Sequence, residues 1–135
     1  MSIPVELAEL ADAMAVYRFA YLLSIADDGR AHAVAVRPSL AEGSLVVADL
    51  GRRTSANVAA RPAVTVLWPP ADPAGYSLIV DGQARIDGDG VVAIAPERAV
   101  LHRPAQPAAD APAPAVAGEP APGCASDCVE ISLTS

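Results

Sequence analysis

"SLVVADLGRRTSANVAARPAVTVLW", residues 44–68, changes its period twice, and those two changes decide the fold. Ser44 to Asp49 is a short apolar run bounded by turn residues and reads as a strand, while Ala63 to Trp68, rich in β-branched side chains, reads as another. Between them Thr54 or Ser55 is a good N-cap, Ala56 to Ala60 permit helix, and Pro62 stops it, giving a helix of about two turns. The same segment gathers Arg52, Arg53, Thr54, Ser55 and Asn57 where that helix begins. Free N–H groups and the positive end of a helix dipole favour an anion, and arginine adds a planar two-donor fork.

Working outward toward the N-terminus, "FAYLLSIA" (residues 19–26) and "AHAVAV" (31–36) flank the turn "DDGR" and read as a hairpin. Before it, Leu7, Leu10, Met14 and Tyr17 recur at helical spacing with Glu6, Glu9 and Asp12 turned away, which predicts an amphipathic helix from Pro4 to Tyr17, capped by Ser2. In the other direction "PPADPAG" is a loop and Tyr76 to Ile86 a fifth strand, with Gly82 marking a bulge. After the turn "DGDG", the segment Pro96 to His102 opens with proline and glutamate as a helix does. Residues 104–123 are dominated by proline and alanine, which reads as an extended or mobile loop. A sixth strand at 127–133 then alternates Val129, Ile131 and Leu133 with polar residues. Short strands in series, one brief helical crossing and a closing strand make a mainly β chain: six strands, mostly antiparallel, in a small barrel with a few short flanking helices.

Composition bounds what such a barrel can do. At 135 residues the chain fits one domain, 1–135. Its nine basic residues are all arginine, and sixteen carboxylates leave a formal charge of -7. That balance argues against nucleic acid and anionic membranes as partners, because phosphate contacts along a polymer need a basic field. A single anionic ligand can still be caught locally, since charges beyond a Debye length of roughly 8 Å are largely screened. Aromatic residues are only 4% of the chain, so the core is built from Val, Ile, Leu and Ala. The start "MSIPVELAEL" carries no basic region followed by a long apolar stretch, which predicts a cytoplasmic protein.

Other polar features have ordinary readings. Cys124 and Cys128 are too few for a disulfide framework and lack the neighbours zinc requires. His32, on a strand among alanines, faces either solvent or a ligand, and His102 sits where a helix end favours a cation; neither has metal-ligand company. Asp27, Asp28, Asp87 and Asp89 lie beside glycine and read as turn chemistry.

The ordered series "YLLSIADDGRAHAVAV", "GSLVVADLGRRTSANVAARPAVTVLW" and "GYSLIVDGQARI", within residues 15–103, resembles the pyridoxamine 5'-phosphate oxidase-like split-barrel flavoproteins. The resemblance implies a split barrel whose third strand and short helix hold the phosphate of FMN. Arg53 and Thr54 take the places of the family's adjacent basic pair, with Arg52, Ser55 and Asn57 beside them. It places the flavin ring along the second strand, at Ala33 and at Val34, Ala35 and Val36, with Trp68 and Gln83 as further contacts. As in family members generally, it implies a homodimer with two sites across the interface, acting as an oxidoreductase on a small organic substrate. Trp68, the only tryptophan, also suits a plain core position.

The departures narrow this reading. On the second strand only Arg37 stands near the basic pair that the true oxidase carries, and nothing after Arg103 is basic, so pyridoxamine phosphate oxidation does not follow. Two alternatives stand beside the flavoprotein: a cofactor-free split-barrel dimer with a binding or structural role, and a reductase using the deazaflavin coenzyme.

Overall fold

The computed structural model describes residues 1–105. Eight strands form one sheet: β1 (Ser2–Pro4), β2 (Ala20–Ile25), β3 (Ala31–Val36), β4 (Ser39–Ala41), β5 (Ser44–Val47), β6 (Ala63–Trp68), β7 (Ser77–Ile86) and β8 (Val92–His102). Two short helices accompany them, α1 (Leu10–Met14) and α2 (Arg52–Ala60). The strand order is β3-β2-β6-β7-β8-β5-β4, with β1 also on β8, and every pairing is antiparallel. The mostly antiparallel architecture with short helices is thus the one expected, with more strands than the six counted. The loop beyond residue 105, the closing strand at 127–133, Cys124 and Cys128 lie outside the described residues.

Chain connectivity curls the sheet. β3 and β4 stand at opposite ends of the strand order, yet only Arg37 and Pro38 separate them. An extended chain advances at most about 3.6 Å per residue, so the two edges must approach each other at that point. They are not paired to one another, which leaves the barrel split. Its inner face is built by period-2 alternation: Ala20, Leu22 and Ser24 of β2 point inward while Tyr21 and Ile25 point out, and Leu45, Val66, Leu78, Val80 and Ile94 complete the core.

Hairpin turns fix the registers. "DDG" leads β2 into β3 with Gly29 at φ 84°, and the Ala26 N–H donates to the Arg30 carbonyl at 2.9 Å. The second aspartate helps, since the Arg30 N–H donates to Asp28 Oδ1 at 3.1 Å. Between β4 and β5, Glu42 and Gly43 take φ of 51° and 80°, the two-residue hairpin loop that needs positive φ at both central positions.

Three local expectations are corrected. The helix over 4–17 is replaced by β1, a single 3-10 turn at Leu7–Glu9 and the five residues of α1; of its apolar stripe only Leu10 is buried. Residues 2–4 instead pair with residues 100–102 of β8, a contact no local period encodes. The segment Pro96 to His102 is strand, not helix, because β7 offers it a ladder along its whole length. The cap of α2 is Gly51, with no side-chain cap bond, so the helix starts before Thr54 and Ser55.

The bulge expected at Gly82 is present, with the additional residue on the partner strand. Asp81 pairs with Arg98 and Gly82 with Pro96, which leaves Glu97 as the extra residue. Pro96 lacks an N–H, and a bulge is where a strand tolerates that. No helix among the described residues is long and apolar enough to cross a membrane.

Candidate functional site

Helix α2 lies against β2 and β7, and its spacing assigns each donor a face. Thr54, Asn57 and Val58 point into the barrel, at positions i, i+3 and i+4, whereas Arg52, Arg53 and Ala56 are exposed. The first backbone bond of the helix runs from the Ser55 N–H to the Gly51 carbonyl at 3.0 Å. The N–H groups of Arg52, Arg53 and Thr54 precede it and, as at any helix start, have no partner within the helix. No side chain caps them.

The inward face is polar where it meets β2. Asn57 Nδ2 donates to Ser24 Oγ at 3.1 Å, both groups being buried. Thr54, at 1% exposure, has no partner for its Oγ1 among the described residues. Ser24 pairs across the hairpin with His32, so the β2–β3 register brings the half-buried imidazole to the same end of the barrel. The far end of α2 is tied to the same hairpin: Arg61 Nε donates to the Ile25 carbonyl and Nη2 to Asp27 Oδ1, both at 2.7 Å.

Between α2 and the hairpin opens a cleft of about 680 Å³, lined among others by His32, Arg52, Arg53 and Asn57. Asp27, Asp28 and Arg30 also line it. Its acids are already engaged, Asp27 with Arg61 at 2.7 Å and Asp28 with Arg30 at 3.9 Å. Among the described residues Arg52 and Arg53 have no ion-pair partner, so the free charge of the cleft is positive.

A separate cleft of about 350 Å³ is lined by Ala35, Val36 and Arg37 of the β3 end together with Phe19 and Ala48 to Leu50, the segment that leads into α2. Asp49 turns the chain there, at φ 60°. Left-handed backbone is uncommon for a residue with a side chain, and aspartate is among those that accept it best.

The structure therefore brings Arg52, Arg53 and Asn57 together in one cleft and Ala35 and Val36 into another. Thr54 and the half-buried Ser55 lie on the same helix without lining either, and half-buried Val34 packs against the core. Trp68, at 3% exposure, belongs to the core. Gln83 is exposed and remote from α2's donors in lining a different cleft, its amide donating to Glu97 Oε1 at 3.0 Å. His32, read from sequence only as a strand residue facing solvent or a ligand, joins the arginines, brought there by the hairpin register that sets it opposite Ser24.

No family-level sequence model matches the chain. Two uncharacterized mycobacterial proteins, Mb0449c of Mycobacterium bovis and MT0457 of Mycobacterium tuberculosis, are each 46% identical to it, over 75% of this chain and 82% of the relative. The chain belongs to their family. Among solved structures, a candidate pyridoxamine 5'-phosphate oxidase from Listeria innocua superposes with a TM-score of 0.60 at 17% identity, covering 70% of this chain and 96% of that one. A FAD-binding protein from Mesorhizobium loti gives 0.59 at 14%, covering 75% and 96%. An F420 reductase gives 0.53 at 16%, covering 67% and 94%. HutZ, a haem storage protein of Vibrio cholerae, gives 0.57 at 12%, covering 69% and 91%. The chain has the pyridoxamine 5'-phosphate oxidase-like split-barrel fold that these solved structures share.

Proposed function

We propose that the chain is an FMN-binding oxidoreductase that acts on a small organic substrate as a homodimer. The observation that carries this reading is the opening of α2: helix-start N–H groups and, among the described residues, two guanidiniums without ion-pair partners, beside a cleft whose two acids are themselves ion-paired. A phosphate monoester fits that donor set, because it offers several acceptor oxygens and a double negative charge to groups that otherwise lack partners.

Arg52 and Arg53 would bind the phosphate, His32 and Asn57 would bound it on the strand side, and Ala35 with the backbone of Val36 would lie along the ring. The small, exposed side chain of Ala35 leaves the backbone accessible to a planar ligand. When bound, a flavin supplies the electron and hydride chemistry, and the chain's own work is to orient it and exclude competing reactions. Support for a flavin over a purely structural role comes from structural neighbours described as a FAD-binding protein and an F420 reductase.

The dimer reading rests on the outer face of the sheet. Tyr21, Leu23 and Ile25 of β2 are flanked by Ala35, Ala33 and Ala31 of β3 and by Leu67 of β6, with Tyr21 and Ile25 at 38% and 36% exposure. An outward-facing apolar row of this kind suits a covering partner. Gln83, on the same outer side, would then serve the partner's site.

The deciding measurement is an absorption spectrum of protein purified with and without added FMN, accompanied by melting curves. Bound FMN should show its visible bands and raise Tm by mass action, and Arg53→Ala should diminish both effects. A protein that stays colourless and unshifted, or that shows instead a Soret band or a deazaflavin spectrum, refutes the FMN assignment. Sedimentation of Leu23→Asp against the unchanged protein tests the dimer: the variant should be the smaller species.

A further inference from the structure

A third cleft, of about 360 Å³, opens where α1, the start of β2, the β3–β4 turn and the end of β6 meet. Met14, Phe19, Leu40 and the nearly sealed Trp68 give it an apolar wall. Arg18 and Arg37 line it too, and none of its lining residues is acidic. In a chain with sixteen carboxylates and nine arginines, that local inversion of charge needs a reason. Neither arginine has an ion-pair or hydrogen-bond partner among the described residues. The Tyr17 hydroxyl at the same cleft is committed elsewhere, donating to the Tyr76 carbonyl at 2.8 Å.

Two guanidiniums beside an aromatic and aliphatic wall ask for a ligand with one anionic end and one apolar end. The planar fork of arginine matches a carboxylate in two-point contact, and Arg18 and Arg37, both exposed, are accessible to one. Flat side chains at Phe19 and Trp68 suit a ring. A neutral apolar molecule would leave the cations unused, and inorganic phosphate would leave the wall unused.

We infer that this cleft binds a small aromatic carboxylic acid, its carboxylate taken by Arg18 and Arg37 and its ring lying against Phe19 and Trp68. Phe19 and Arg37 also line the cleft of Ala35 and Val36, so the acid would sit next to the place assigned to the flavin ring. Naming the acid as the substrate rests on the flavin reading above; its binding does not.

Trp68 is the only tryptophan, so its emission reports on the cleft. The full chain, without added flavin, is titrated with benzoate and with benzamide, which has nearly the same shape and no charge. Benzoate should change the emission saturably, benzamide should bind about ten-fold or more weakly, and Arg18→Gln and Arg37→Gln should each weaken benzoate by about ten-fold or more, the scale of a charge-assisted contact. Arg85→Gln, an exposed arginine on β7, should leave it unchanged. The inference is overturned if benzoate gives no saturable change, if benzamide binds as well, or if both glutamine variants bind benzoate like the unchanged protein. A parallel FMN titration followed by flavin emission separates the two readings. FMN binding without benzoate binding overturns only this inference, whereas arginine-dependent benzoate binding without FMN supports the cleft and refutes the flavin.

Discussion

Thr54 and Asn57 sit on one face of one helix and meet burial in opposite ways. Asn57 spends its amide on Ser24 Oγ at 3.1 Å, whereas the Thr54 hydroxyl is sealed in with no partner among the described residues. A buried hydroxyl without a bond costs about 1–3 kcal/mol, so Thr54→Val should stabilise the flavin-free protein by about 1 kcal/mol, a rise of a few degrees in Tm. The hydroxyl points into the barrel and lines neither cleft, so the same change should leave the additional rise that FMN produces intact. Differential scanning calorimetry with and without FMN reads both effects, and a fall in Tm of the flavin-free variant would show that the hydroxyl is already satisfied in solution. Asn57→Leu should do the reverse: it strands the buried Ser24 hydroxyl and should cost about 1–3 kcal/mol in urea unfolding, seen as a lower midpoint at unchanged slope.

At the scale of elements, Gly82 governs how the two longest strands cross. A Cβ there would press on the Ala95 carbonyl and lie 2.9 Å from Ile94 Cγ2, in a strand whose partner is already bulged at Glu97. Backbone cannot move aside as a side-chain tip can, so Gly82→Ala should destabilise by about 2–4 kcal/mol in equilibrium unfolding; a loss well under about 1 kcal/mol would mean that β8 relaxes around the methyl. The same strand pair shows what a sequence discloses and what it hides. Strands β2, β3, β5, β6 and β7 were legible because each has one buried face and so alternates, or ends in a recognisable turn such as "DDG". Pro96 to His102 was not, because proline followed by glutamate opens helices as readily as it marks a bulge, and the choice is made by β7. The first residues misread for a similar reason: the spacing of Leu7, Leu10, Met14 and Tyr17 suits a helix, but β8 captures residues 2–4 and the Tyr76 carbonyl captures the Tyr17 hydroxyl. For the site, the clustering of donors at the start of α2 was visible in the letters. Which of them turn inward was not, since that depends on Gly51 opening the helix before Thr54. The arrival of His32 opposite Ser24 depended likewise on the hairpin register.

Over the whole molecule the charge sums to -7, which opposes any anionic ligand, while the cleft beside α2 holds two arginines without ion-pair partners among the described residues. Range decides between these effects. Guanidinium groups in contact with a phosphate act across about 3–5 Å, inside the Debye length of roughly 8 Å at physiological salt, whereas a carboxylate farther off than that length is largely screened. Added salt therefore has two possible signs. If the distant acids dominated, screening them would tighten FMN binding; if the local arginines dominate, salt competes with them and binding weakens. Affinity measured by flavin fluorescence should fall by about three- to ten-fold between about 50 and about 500 mM NaCl. In the Arg52→Ala, Arg53→Ala double variant, binding should be weaker at low salt and its salt dependence should flatten or reverse, because only the repulsion of the body remains to be screened. An affinity that rises with salt in the unchanged protein would mean that these two arginines do not hold the phosphate, whatever the fold of the barrel around them.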